Sequence, residues 1–121
     1  MDEQLLINAF MVLWDYYPEP VMLIDKKREI IALNKAGKDA GRFPGMKCSS
    51  LLPLANHKGC RANEALKKRE YTYRKRMGDF GDVVSFWLPI DGYPDYLVHF
   101  SVGATVKYDF NSDSVSLLTG Q

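Results

Sequence analysis

Residues 20–34, PVMLIDKKREIIALN, decide the fold of this chain. Apolar runs occupy positions 21–24 and 30–33, and a charged segment separates them. Short apolar runs on either side of a polar turn are typical of buried strands joined in a hairpin. Asn34 then precedes the helix-forming run 35–40, where a short polar side chain accepts hydrogen bonds from the first amides of a helix. We therefore predict a hairpin followed by a short helix that Asn34 caps.

Length and charge limit what surrounds this hairpin. The 121 residues suffice for one domain with one core. Lys and Arg total 16 against 15 Asp and Glu, so the net charge of +1 creates no general field that attracts nucleic acid or an anionic membrane. No apolar run approaches the roughly 20 residues of a spanning helix, and the opening MDEQ is acidic where a secretory signal is basic. We expect a soluble, cytoplasmic protein with two reduced thiols.

The N-terminal segment predicts a helix over residues 3–17, because no breaker occurs before Pro18. Apolar side chains occupy nearly its whole circumference, including Phe10 and Trp14. A helix of this kind is buried on two sides. We expect one side to pack on the chain's own sheet and the other on a second copy, which gives a homodimer. The alternative is a helix that lies in a deep groove of its own fold.

The rest of the chain predicts further elements. A loop rich in Gly, Pro and Ser, with one helical turn near 48–52, leads to a helix at 60–69. Turn-rich segments then separate three strands of an antiparallel meander, at 71–77, 83–90 and 96–106. A loose tail is expected at 107–121.

The order of these elements resembles a PAS domain. The resemblance covers residues 18–106 and includes the hairpin, Asn34 with Ala36, Gly45 and the final meander. It implies an α+β fold in which a five-stranded antiparallel sheet folds against a helical flank. It also implies a division into an N-terminal helix (1–17), a PAS-like core (18–106) and a loose tail (107–121). The chain departs from the family after the last strand, where neither an Asp-x-Thr end nor a heptad helix follows.

Alternation on the last two strands sorts side chains into two faces. One is apolar: Val84, Phe86, Leu88, Ile90, Val98, Phe100 and Val102. The other is mixed: Ser85, Trp87, His99 and Ser101. PAS domains that hold a small ligand hold it between sheet and flank, and we expect the apolar face there. The candidate pocket residues are then Leu66, Phe86, Leu88, Val98 and Phe100. The alternative is a solid core.

The mixed face, with Tyr71 and Tyr73, is expected beneath the first helix, against Phe10 and Trp14.

Cys48, His57 and Cys60 are weak candidate metal ligands. Their spacing, C-x8-H-x2-C, lacks a fourth ligand unless Asp39 or His99 supplies it, whereas zinc sites usually pair cysteines as C-x2-C. We favour two buried thiols that pack as small apolar groups. A metal or redox sensor remains an alternative.

The resemblance also bears on cofactors. Some bacterial PAS sequences open the long helix with a C-x2-C pair, but Asn63 stands at the second cysteine here. The stretch around Cys60 and Arg61 has only these two residues in common with the segment whose cysteine bonds flavin in light-sensing members. Haem-binding members use a histidine of the long helix, whereas His57 precedes that helix. We therefore predict neither flavin nor haem.

The run 67–76 holds six basic residues and two tyrosines. It is either a nucleic-acid patch or an edge strand that uses charge to prevent unwanted pairing, and we favour the edge strand.

Nothing forms a nucleophile, base and oxyanion-hole constellation. The sequence thus predicts a non-catalytic, bacterial PAS-like sensory domain, of the kind used in signal transduction and transcription regulation. It binds a small ligand or a signalling protein and transmits by repacking of helix 3–17. A binding module that uses surface 67–76 is the alternative.

Overall fold

The predicted hairpin is present and begins a five-stranded antiparallel sheet. The computed structural model describes residues 2–48 and 60–109. The predicted turn near 48–52, apart from Cys48, and the tail beyond 109 lie outside these residues. The helices and strands, in chain order, are α1 (Glu3–Trp14), β1 (Val21–Asp25), β2 (Ile30–Leu33), α2 (Lys35–Asp39), α3 (Ala62–Lys68), β3 (Thr72–Gly78), β4 (Gly81–Ile90) and β5 (Tyr93–Val102).

The strands lie in the order β2-β1-β5-β4-β3, so the first hairpin joins the final meander where β1 pairs with β5. This arrangement confirms the predicted α+β class and the five-stranded antiparallel sheet. Helix α1 ends at Trp14, three residues before the predicted end. Its end has a local cause, because Pro18 and Pro20 disfavour helical geometry in the residues that precede them.

Both faces of the sheet are buried. The inner face packs against α3 and includes Met22, Ile24, Trp87 and Leu97. The outer face packs against α1 and includes Val21, Leu23 and Val98, which contact the cluster of Leu6 and Phe10. The strand register places Trp87 beside His99 and Phe86 beside Phe100. The two predicted sets of side chains therefore do occupy opposite faces.

The predicted assignment of these faces to the helices is reversed. Leu88, Val98 and Phe100 belong to the cluster beneath α1, whereas Leu66 packs with Trp87 on the inner face. Phe86 stacks on Phe100 at 5.3 Å between ring centroids. The five candidate pocket residues thus do not share one face.

The position of the Trp14 ring contradicts the prediction that Trp14 packs on the mixed face. It contacts Phe100 at 5.1 Å and Tyr17 at 5.7 Å, not Trp87 or His99. The physical reason lies in the helices. Helix α1 brings large apolar side chains that need an apolar partner face, whereas the short α3 brings the small Ala62 and Ala65 and leaves room above the mixed face of β4 and β5.

Asn34 is completely buried and joins three segments. Its Oδ1 accepts from the amides of Val21 and Gly37, both at 2.9 Å. Its Nδ2 donates to the carbonyls of Tyr17 and Glu19, at 2.9 and 2.8 Å. The predicted cap of α2 is confirmed, and the same side chain also fixes the start of β1 and the linker that follows α1.

Glu19 is a second completely buried polar residue. Its Oε1 accepts from the amide and hydroxyl of Thr105 at 2.8 and 3.2 Å, and its Oε2 accepts from the amide of Gly103 and the hydroxyl of Tyr108, both at 2.7 Å. Burial acts to raise the carboxyl pKa, but these hydrogen bonds outweigh it and the pKa of Glu19 is lowered. Glu19 therefore ties the linker after α1 to the segment that leaves β5.

The substitution Asn34→Asp replaces the Nδ2 donor with an oxygen that faces the carbonyls of Tyr17 and Glu19. Two hydrogen bonds are lost and a buried charge lies against two acceptors, so we expect a loss of about 3 kcal/mol in the free energy of unfolding. Urea titration followed by circular dichroism measures it. The matched control Asn8→Asp, on the exposed side of α1, should change this free energy by less than about 0.5 kcal/mol. Equal losses in both variants would contradict the role of Asn34.

The substitution Glu19→Gln turns one acceptor oxygen into a donor that faces an N–H or O–H group, and we expect a loss of about 2 kcal/mol at pH 7. The pKa of Glu19 is lower in the folded chain. Its stabilising contribution is therefore complete above the unfolded pKa and is lost as the pH falls through the folded pKa.

Chemical denaturation between pH 7 and the acid range checks the sign of this effect. The gap in stability between Glu19→Gln and the unsubstituted chain should narrow as the pH falls. The exposed control Glu70→Gln should show no such gap at pH 7. A Glu19→Gln gap that widens in acid would refute the assignment.

Candidate functional site

A cavity of about 120 Å³ lies on the inner face of the sheet. Its sheet wall contains Arg74, Arg76, Ser85, Trp87, His99 and Ser101. Its other walls include Arg28, Arg42, Cys48, Cys60 and Ala62, and its edge includes Glu19, Ala104 and Thr105. Of the five candidate pocket residues predicted from the sequence, Phe100 lines this cavity within the described part of the chain, beside both polar and apolar groups.

Two pairs of side chains across β4 and β5 shape the sheet wall. Ser85 lies beside Ser101, and their hydroxyl oxygens are 2.7 Å apart. Trp87 stacks on the ring of His99 at 4.6 Å and an interplanar angle of 11°. The Nδ1 of His99 lies 2.8 Å from the carbonyl oxygen of Phe86. Because a carbonyl only accepts, Nδ1 carries a proton and donates, which fixes the ring and makes Nε2 the acceptor when His99 is neutral.

The part of the basic run 67–76 that lies in β3 divides between the two faces of this strand. Arg74 and Arg76 alternate with the exposed Tyr73, Lys75 and Met77, and both line the cavity. On the outer side, the amino group of Lys75 lies 3.3 Å from a carboxylate oxygen of Asp82. Two of the six basic residues of this run thus contribute their charge to the cavity rather than to one continuous surface patch.

Two further arginines enter from the other walls. Arg42 follows α2 and is partly buried, and its guanidinium approaches the sulfur of Met22 at 3.8 Å. Burial lowers the pKa of Arg42, and the charge of Cys48 partly opposes that shift. Arg28 has a positive φ of 70° in the β1–β2 turn, and its guanidinium donates to Asn63 at 2.6 Å. The hairpin turn is thereby tied to α3.

Cys48 and Cys60 are free thiols in the cavity wall. Cys48 is buried as predicted, but the prediction is wrong for Cys60, which is exposed. Burial, and after it the charge of Cys60, raises the pKa of Cys48 to about 11, so it is a thiol at neutral pH. In residues 2–48 and 60–109 no group of three His, Cys, Asp or Glu side chains is arranged to hold a metal ion. The third candidate ligand, His57, lies outside the described residues.

Sequence reasoning did not assign Glu19, Arg28 or Arg42 to a site, and it assigned Arg74 and Arg76 to an edge strand or a surface patch instead of the cavity wall. The placement of Glu19 between Pro18 and Pro20 is a usable signal, because a glutamate in an extended, proline-fixed segment beside a buried strand needs nearby donors. Alternation along β3 also places Arg74 and Arg76 with Trp87, once Trp87 is assigned to the inner face. Among the described residues, no helix is long and apolar enough to cross a membrane.

No protein-family model and no curated protein matches the chain. Solved structures do resemble it. A sensory box sensor histidine kinase from Vibrio cholerae is 16% identical with a TM-score of 0.59, over 84% of this chain and 89% of that one. The PAS domain of BvgS from Bordetella pertussis is 18% identical with a TM-score of 0.52, over 98% and 96%. A PAS domain from Colwellia psychrerythraea is 17% identical with a TM-score of 0.55, over 83% and 96%.

These similarities concern the fold, because each identity is below 25%. The sheet order β2-β1-β5-β4-β3 with a helical flank on the inner face agrees with them. By its fold this chain is therefore a PAS-like domain.

Proposed function

We propose that this chain is a sensory and signalling domain that binds a small ligand in its inner cavity and transmits by repacking of α1. One observation carries the proposal: Glu19 lies in the cavity wall and also holds together the two segments that enter and leave the sheet. The solved structures of similar fold include a PAS domain and a sensor histidine kinase, and this likeness supports a signalling role. Transcription regulation in a bacterial pathway is the output that we expect.

The contacts around Glu19 connect the cavity to α1. Thr105 lines the cavity, and its amide and hydroxyl both donate to Glu19, five residues after the last residue of α1. The hydroxyl of Tyr17 donates to the carbonyl of Ser101 at 2.9 Å, and Ser101 also lines the cavity. A ligand that moves Ser101 or Thr105 therefore acts on atoms that hold the end of α1. Differential binding to two packings of α1 would shift their populations.

The outer side of α1 supports a homodimer. Exposed apolar side chains form a stripe along α1 and just past its end: Leu5, Val12, Leu13 and Tyr16 are 60%, 83%, 77% and 94% exposed. Leu6 and Phe10 of the same helix are buried on the sheet. An apolar stripe that is exposed in one copy and self-complementary about a two-fold axis is suited to a second α1. Residues 3–17 would then be both the dimer contact and the moving element.

The proposal involves no chemical step. The cavity holds two thiols, but a pKa of about 11 keeps Cys48 protonated at neutral pH, which makes it a poor nucleophile. Free thiols are consistent with a reducing compartment such as the cytoplasm. In this proposal the cavity serves for recognition.

The double substitution Val12→Asp with Leu13→Asp places two charges in the stripe and should abolish the dimer, because desolvation of carboxylates in an apolar helix contact is unfavourable. Sedimentation velocity at micromolar concentration measures the change of mass. Lys67→Asp, on the exposed side of α3 and away from α1, should remain dimeric. An unsubstituted chain that sediments as a monomer at all concentrations would refute the dimer.

The two tryptophans allow binding and transmission to be read separately. Trp87 lines the cavity, whereas Trp14 packs on Phe100 beneath α1. With 5-fluorotryptophan in both positions, fluorine NMR should give two resonances, which Trp14→Phe and Trp87→Phe variants assign. Saturation with a ligand found in a panel of small acids, amines and neutral molecules should shift both.

The possible results discriminate between the parts of the proposal. A shift of the Trp87 resonance alone would establish binding and refute transmission through α1. If neither resonance moved with any class of molecule, ligand sensing would be refuted.

A further inference from the structure

We propose that the ligand of the inner cavity is a small dicarboxylate without an ammonium group. This inference rests on the proposed function in requiring that the cavity binds a small molecule. It follows from the charges in the cavity wall, from the hydrogen bonds that they already make, and from the volume.

The cavity has an excess of positive charge. Arg28, Arg42, Arg74 and Arg76 line it, and among the described lining residues the carboxylate is that of Glu19. Guanidinium groups that are partly removed from water are unfavourable unless an anion compensates them. Burial lowers the pKa of Arg42, which is the direction expected when a charged guanidinium is partly removed from water.

Glu19 has no capacity left for a positively charged ligand group. An ionised carboxylate offers about four lone-pair positions. Four donors already occupy them: the amides of Gly103 and Thr105, the hydroxyl of Thr105 and the hydroxyl of Tyr108. An ammonium group would therefore enter a cavity lined by guanidinium groups without gaining a contact to this carboxylate. This argument separates a plain acid from an amino acid of the same size.

The donors of the cavity suit carboxylates at two ends of a ligand. Arg74 and Arg76 extend from the same face of β3, about 7 Å apart along the strand. Arg42 enters from the segment after α2, and its described hydrogen-bond partner is the thioether of Met22, which is a weak acceptor. The planar fork of a guanidinium matches a carboxylate in two parallel hydrogen bonds. Charged donors from two separate walls are therefore able to hold two separate carboxylates.

The hydroxyl pair adds a neutral donor. When Ser85 and Ser101 share one hydrogen bond, one hydroxyl proton serves that bond and the other remains for a third group. The cavity volume of about 120 Å³ gives room for a short dicarboxylic acid.

Isothermal titration at low ionic strength tests the ligand class with four matched probes. Succinate is the dicarboxylate, succinamide its neutral isostere, aspartate the same skeleton with an ammonium group, and inorganic phosphate a compact anion. We expect succinate to bind, and aspartate and phosphate to bind at least about tenfold more weakly, a difference of about 1.4 kcal/mol. Succinamide should give no measurable binding. Phosphate or aspartate binding as tightly as succinate would overturn the inference.

Substitutions test which arginines of the cavity wall bind the ligand. Arg76→Gln should weaken succinate binding by at least about tenfold, since a hydrogen bond to a charged group is worth about 1.5–3 kcal/mol. Lys75→Gln is the matched control: it removes the same charge from the neighbouring residue on the outer side of β3, where it should change affinity less than about threefold. Equal effects in the two variants would reduce the result to a general charge effect and refute the site.

A second variant and a folding assay distinguish a loss of binding from a loss of structure. Arg42→Gln, from the other wall, should weaken succinate binding to a similar extent, and thermal unfolding establishes that each variant folds. If neutral probes bind, shift the Trp87 resonance and are indifferent to Arg42→Gln and Arg76→Gln, the anion inference fails while the sensory function stands. If no probe of any class shifts that resonance, the sensory function itself fails.

Discussion

The buried side-chain amide of Asn34 is the interaction on which the rest of the structure depends. It is completely inaccessible to water, and all four of its hydrogen bonds go to backbone groups of β1, α2 and the linker after α1. Backbone groups that leave water must find partners, and here one side chain supplies partners for backbone groups of three segments. Because β1 pairs with both β2 and β5, its starting position also sets where the hairpin meets the meander.

Glu19 extends the same principle to a charge. Its partners are hydroxyls and backbone amides rather than a cation, and they belong to the segment beyond β5. Gly103 fits this arrangement because its φ of 89° is in the left-handed region, and a Cβ there would lie 3.0 Å from the carbonyl oxygen of Asp82. The chain thus turns sharply after β5 and presents its amides to a carboxylate that precedes β1.

The sequence was sufficient for the element order, the hairpin, the cap and the two sets of side chains on β4 and β5. It was insufficient for the choice of face, because the β1 residues Val21, Met22, Leu23 and Ile24 are all buried and their hydropathy does not separate inside from outside. The cavity lies on the mixed face of β4 and β5, where Ser85 pairs with Ser101 and Trp87 with His99, and not on the apolar face that the sequence favours. The partners of Glu19 were equally hidden, since backbone amides have no signature in a sequence.

The contact between Tyr108 and Glu19 determines where this domain can be joined to another protein in a chimera. A chimera joined directly after β5, at Val102, would remove Gly103, Thr105 and Tyr108 and leave a buried carboxylate with none of the four donors described for it. Such a fusion would lose stability for a reason unrelated to its new partner. The smallest transplantable module therefore extends through Tyr108, and the junction with any attached output domain belongs beyond that residue.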